Sequence, residues 1–178
     1  HEGDLRVVLD GARPGAALLR SMKNRGRPKF DLIPPLGRAL LHPEIESRVA
    51  AVELAAHWRV RELYEVVLKM ALDGGSEEEL RMAATRALGS LGNKETVELL
   101  KVMAGRRGNI RPEAVAAILD LAPGEAVRGA ATILREATDV NVIAAILGDF
   151  ATHEGAPALL AKELAMQKVD PAQGERLR

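Results

Sequence analysis

His153-Glu154 begins like the H-E-x-x-H helix of zinc proteases, in which two histidines one turn apart hold the metal and the glutamate serves as base. Position 157 is a proline, so the second ligand is missing. His42 precedes Pro43 in a turn, and His57 neighbours Trp58 late in a helix. No two histidines stand at i, i+4, and no carboxylate cluster joins them, so structural roles are expected for each. The chain has no cysteine, which excludes disulfides, thiolate nucleophiles, zinc-cysteine sites and covalent c-type haem. There is no phosphate-cradling glycine loop and no G-x-S-x-G elbow. The expectation is a chain that is not an enzyme and has no metal site and no cofactor.

The remaining candidates are for binding. RSMKNRGRPK, Arg20 to Lys29, carries five positive charges and no acid. Arg25, Arg27 and Lys29 would meet phosphate or an acidic protein. The plainer reading is a helix C-terminus, where cations suit the dipole, running into a solvated loop with no rigid element to hold it. Trp58 is the sole tryptophan. It would serve as a surface anchor or fill the gap between adjacent repeats, and the second reading is preferred. Tyr64, one and a half turns on, flanks the same pocket in this reading. Glu77 to Glu79 reads as first-turn charge at a helix N-terminus, and Arg106-Arg107-Gly108 as a basic hinge.

Composition narrows the partner. The 178 residues include 25 basic and 25 acidic side chains, and this balance disfavours nucleic acid, which wants a basic surface. Aromatic residues make up 2%, leaving little for bases to stack on. No apolar run approaches the roughly 20 residues of a bilayer span. With 47% hydrophobic and 28% charged residues the chain has enough apolar side chain for one sizeable core. It opens at His1 without a methionine or signal peptide, as expected of a piece of a longer protein.

The elements that must position these residues are helices. Ser76 with Glu79 reads as a capping box. Leu80, Ala84, Ala87, Leu88 and Leu91 then follow at i, i+4, i+7, i+8 and i+11, one helical stripe. Gly92 is placed to supply a left-handed C-terminal residue, and Asn93 to cap a helix with the stripe Val97, Leu100 and Ala104. RVAAVELAA at 48–56 returns as RMAATRALG at 81–89, and AVAAILDL at 114–121 continues it. AAIL occurs at 116–119 and again at 144–147. Repeats of roughly 30 to 45 residues with two helices each mark a solenoid. Alanines at Ala83, Ala84 and Ala87 suit a helix buried between two layers, because small side chains allow close backbone approach. Helices are expected at 14–24, 33–41, 44–57, 61–72, 76–91, 94–104, 111–121, 124–136, 139–151 and 156–168, with Pro123-Gly124 among the breaks. No strand is expected. This gives one domain over 1–168, with an N-terminal capping pair at 13–41, regular pairs at 44–168 and a polar tail at 169–178.

Paired helices with an arginine opening the second and AA-x-x-L following resemble HEAT repeats over roughly 31–168. Arg48 and Arg81 stand where that family has its helix-starting basic residue. The 138–168 pair lacks it. The resemblance implies an all-α, right-handed α-α superhelix of HEAT/armadillo type with about five helix pairs. It also implies a protein-binding or inter-domain scaffold. The alternative is a HEAT-like enzyme or accessory domain, bilin-lyase-like or DNA-glycosylase-like. A glycosylase expects a basic, aromatic-lined groove and a lyase a nucleophilic cysteine, and neither is present. The stretches ALLRSMKNRGRP (17–28), LLHPEIESRVAAVELAAHW (40–58) and AATRALGSLG (83–92) resemble the helical region of large secreted bacterial proteins. Those proteins also carry a sugar-dehydrogenase-like propeller and a cytochrome c domain. An extracytoplasmic address is what this resemblance implies, while the residues themselves leave a cytoplasmic one open.

Overall fold

A computed structural model describes residues 15–106 and 108–166. These residues form ten α-helices and one 3-10 turn, with no strand among the described residues. In chain order the helices are α1 (Ala16–Met22), α2 (Ile33–Leu40), α3 (Ile45–His57), α4 (Tyr64–Leu72), α5 (Glu78–Leu91), α6 (Lys94–Gly105), α7 (Ile110–Leu121), α8 (Pro123–Glu136), α9 (Val140–Ala151) and α10 (Ala156–Met166). The 3-10 turn, Arg61–Leu63, leads directly into α4. The helix expected at 61–72 therefore starts with tighter winding. Residues 1–14, Arg107 of the expected hinge, the last two residues of the expected final helix and the tail at 169–178 lie outside the described residues.

The chain divides between Gly92 and Asn93 into two compact units. In the first, α3 packs on α1, α2 and α5, and α5 packs on α4 as well. A helix with a neighbour before it and another beyond needs apolar side chains on more than one face. α3 has them: Val49, Ala50, Ala51, Val52, Leu54 and Ala55 are all buried. In the second unit α7 packs on α6, α8 and α9, while α8 and α9 both meet α10. Gly129 of α8 faces α7 so closely that a Cβ there would stand 2.9 Å from Val115 Cγ2. Glycine is what lets these two helices approach.

The repeat register holds in space. Ala51, Ala84 and Ala114, which the sequence offsets align, are each fully buried. The aligned sets Leu54, Ala87, Ala117 and Ala55, Leu88, Ile118 are buried too. Ala83 differs from the expectation: it is only half-buried, one step around the helix from the packed stripe.

Three local expectations are corrected. Ser76 does not cap α5. The cap position is Glu77, without a side-chain cap bond. The Ser76 hydroxyl instead donates to Asp73 Oδ2 at 2.7 Å, while Asp73 Oδ1 accepts the Gly75 N–H at 2.9 Å. An Asp-Gly-Gly-Ser turn offers the serine a carboxylate before the helix offers it an amide. Gly92 is extended (φ −80°, ψ −171°) rather than left-handed. The next residue already caps α6, so the chain must straighten at once. The reciprocal capping box is there, at Asn93 and Thr96: Asn93 Oδ1 accepts the Thr96 N–H at 3.2 Å, and Thr96 Oγ1 accepts the Asn93 N–H at 3.1 Å. Pro123 is the first residue of α8 rather than a break before it, as suits a residue with no amide hydrogen to donate.

Candidate interaction surfaces

The end of α3 builds the first site. The Val60 N–H bonds the Ala55 carbonyl at 2.9 Å, and the Arg59 N–H bonds the Ala56 carbonyl at 3.0 Å. That pair of bonds is the Schellman closure, with buried Val60 as its apolar contact. It requires a left-handed residue at position 59, and Arg59 has φ 50°. Glycine is the usual occupant, and a side chain there costs about 1–2 kcal/mol.

Trp58, just before this corner, is buried at 3% exposure. Its ring is inside the first unit rather than on the surface. Its Nε1–H donates to the Arg25 carbonyl at 3.3 Å, tying the basic loop to the corner. A second tie runs from Arg27 Nη1 to the Arg59 carbonyl at 3.4 Å, an oxygen that also accepts the Arg61 N–H at 3.0 Å. Lys23 pairs with Glu53 of α3, and Pro28 is buried beneath the loop. Arg25, Arg27 and Lys29 remain exposed. So do His57, for which the sequence suggested a structural role, and Arg59 and Arg61, which it did not single out. The signal was the run H-W-R-V-R at 57–61. Its link to residues 25–29 is tertiary and leaves no local trace. Tyr64, half-buried, begins α4.

Two arginines, Arg48 and Arg111, act as staples. Arg48 Nη2 reaches Glu77 Oε1 at 2.8 Å, joining α3 to the start of α5. Arg111 donates through Nε to the Ala104 carbonyl at 3.0 Å and through Nη1 to Glu136 Oε2 at 2.7 Å. It thereby closes the end of α6 and reaches the end of α8. Guanidinium serves here because its fork can satisfy a carbonyl and a carboxylate together. Residues 33–118 match the family of HEAT repeats. No curated protein and no solved structure matches the chain. The fold of the described residues is an all-α, HEAT-like helical repeat.

A cleft of about 610 Å³ lies in the second HEAT-like unit, between α6, α7, α8 and α10. Its charged lining is Lys101, Arg111 and Arg128 against Glu125, Glu136 and Glu163, three of each sign. Lys101 bonds Glu98 at 2.8 Å and Glu125 at 2.9 Å. The hydrogen bond it donates to Glu98, then that to Glu125, raises the lysine above its ordinary range. The bond from Lys101 holds the Glu125 carboxyl below the usual carboxylate value. The balanced charges give the cleft no preference for either sign of ion.

The histidines are structural where the fold engages them. His153 Nδ1 lies 2.9 Å from the Asp149 carbonyl, and Nε2 lies 2.9 Å from Asp120 Oδ1, joining the ends of α9 and α7. His42 Nδ1 accepts the Glu44 N–H at 3.1 Å in the turn before α3. Among the described residues no group of three or more histidines and carboxylates is placed to hold a metal. No helix among them is long and apolar enough to cross a membrane.

Proposed function

We propose that the chain is a non-catalytic, HEAT-like scaffold that binds protein, either a neighbouring domain of its own chain or a separate molecule. The observation that carries this reading is the HEAT-repeat match over 33–118, coincident with helices whose aligned positions Ala51/Ala84/Ala114, Leu54/Ala87/Ala117 and Ala55/Leu88/Ile118 are buried. The polar side chains most able to do chemistry are engaged in structure: His153, His42, Arg111 and Arg48 each bond neighbouring elements. HEAT repeats commonly mediate protein interactions. The resemblance of 17–28, 40–58 and 83–92 to large secreted bacterial proteins extends the proposal. On it, the partners are propeller and cytochrome domains of one long chain, in an extracytoplasmic compartment.

The test is affinity capture with the immobilised chain, followed by reconstitution of each candidate pair from purified components. A stoichiometric complex on size-exclusion chromatography with light scattering is expected. Turnover by the purified chain, whether excision of an alkylated base from duplex DNA or attachment of a bilin to an acceptor protein, would replace this reading with the enzymatic one.

A further inference from the structure

We infer that the basic corner formed by residues 25–29 and 57–61 is the docking surface for an acidic segment of a partner protein. The inference rests on the scaffold reading and names the chemistry of its contact. Two stretches about 30 residues apart in sequence converge through the bonds from Trp58 Nε1 to the Arg25 carbonyl and from Arg27 Nη1 to the Arg59 carbonyl. The result is one exposed cluster of Arg25, Arg27, Lys29, Arg59 and Arg61, with His57 beside it. The stretches 25–29 and 57–61 themselves contain no acid. Glu53 is matched by Lys23, and the exposed carboxylates that flank the two stretches are Asp31, whose Oδ1 accepts the Ile33 N–H, Glu62 and Glu65, three against five cations.

The loop is also held rather than free. Its backbone is fastened at Arg25, its side chain at Arg27, and Pro28 is buried. A cluster fixed in advance loses less conformational freedom on binding than an unanchored one. Arg59 adds to this, since it stands exposed in a left-handed position that glycine fills at lower conformational cost.

The chemistry of the corner selects among anionic partners. Four of its five cations are arginines, whose planar forks match carboxylates in a bidentate geometry. Stacking of nucleic-acid bases needs exposed aromatic rings, and the tryptophan here is buried beneath the cluster. Membrane interfaces favour exposed tryptophan and tyrosine beside the cations, and Trp58 offers no such surface. A short run of aspartate and glutamate on a protein fits both the charge and the compactness of the corner.

The experiment uses a fluorescein-labelled dodecapeptide of alternating glutamate and leucine, read by anisotropy at 50 and 200 mM salt. Controls are the glutamine version of the peptide, a single-stranded DNA 20-mer and vesicles of phosphatidylserine in phosphatidylcholine. The chain is expected to prefer the glutamate peptide at least tenfold over the glutamine one and to bind it more weakly at the higher salt. R25Q/R27Q/K29Q is expected to weaken binding at least tenfold. R59G/R61Q, which relieves the left-handed arginine, is expected to weaken it at least threefold with an unchanged or raised melting temperature. R25K/R27K, which keeps the charge but not the forks, should bind more weakly than wild type and more tightly than R25Q/R27Q/K29Q, and K162Q on exposed α10 should match wild type. Equal binding by wild type and R25Q/R27Q/K29Q, or no preference for glutamate over glutamine, would overturn the inference. Tighter binding of the DNA or the vesicles would overturn it in favour of that class. Repeating the affinity capture with R25Q/R27Q/K29Q separates the two readings. If wild type and variant retain the same partner, the scaffold stands and the corner is not its contact. If neither retains any, the scaffold reading fails first.

Discussion

The letters A-A-I-L occur twice, at 116–119 in α7 and at 144–147 in α9, and they meet two different fates. In α7 all four side chains are buried. In α9 only Ile146 is, while Leu147 stands 40% exposed and both alanines face solvent. The surroundings differ rather than the helix. α7 has α6, α8 and α9 against it, whereas α9 packs on α7, α8 and α10 and keeps an open side. Along that side run Val140, Ala144, Leu147, Gly148 and Ala151, all exposed. They repeat the spacing i, i+4, i+7, i+8, i+11 of the buried stripe in α5. A local code sets which residues share a face, and the order of the pairs decides whether anything covers it.

The comparison is sharpest for leucine removal. Leu119→Ala in α7 should cost about 2–5 kcal/mol by emptying a filled site. Leu147→Ala in α9 should cost within about 1 kcal/mol, because much of that side chain is already in water. Urea denaturation monitored by far-UV dichroism measures both, and equal losses would break the distinction. Insertion is the converse test. Ala84→Leu should overpack α5 by about 1–3 kcal/mol, whereas Ala144→Leu should stay within about 0.5 kcal/mol as an exposed substitution. Helix starts divide in the same way. Asn93→Ala removes a working capping box and should cost about 1 kcal/mol. Ser76→Ala, which breaks only a turn bond, should shift the midpoint by less than half as much.

The smallest expected effect is a pH dependence. The carboxyls of Asp73, Glu77 and Glu125 titrate below their ordinary values. Bonds from Ser76, from the backbone of Glu77 and from Lys101 respectively are the leading causes. A depressed folded value gives stability that is present at neutral pH and lost as pH falls through it. Lys101 is raised, so its contribution is present at neutral pH and lost as pH rises through its folded value. The three carboxyls are exposed and Lys101 is only half-buried, so the slopes are shallow. Glu125→Gln should lower the melting temperature slightly at pH 7 and not at all at pH 2. A difference that persists in acid would show that Glu125 acts by packing, not charge.

Helix positions were readable from sequence to within three residues, because alanine and leucine repeat at helical spacing and prolines mark several of the starts. The cap at Asn93 was readable for the same local reason. Ser76 was not, since whether a hydroxyl serves a helix or a turn depends on Asp73 three residues earlier. The basic loop was legible as charge and illegible as a site. Its partner segment, 57–61, lies about 30 residues away, and the left-handed turn that presents Arg59 carries no glycine to announce it. Trp58 stands 33 residues before Leu91, the offset of the repeat at 48–56, and is buried like it. Its hydrogen bond to the Arg25 carbonyl was not readable.

Trp58 and Tyr64 are the only tryptophan and tyrosine in the chain, and both belong to the unit that ends at Gly92. The protein therefore carries its own optical reporter for one half and none for the other. Indole emission senses polarity and nearby carbonyl groups, so it will register melting of the basic corner and events that loosen the Arg25 bond. The half beginning at Asn93 is silent at these wavelengths and visible only through the peptide bands of its helices. Emission and far-UV ellipticity, recorded on one sample during a single thermal scan, thus set melting of the first half against that of the helices of both, without any label.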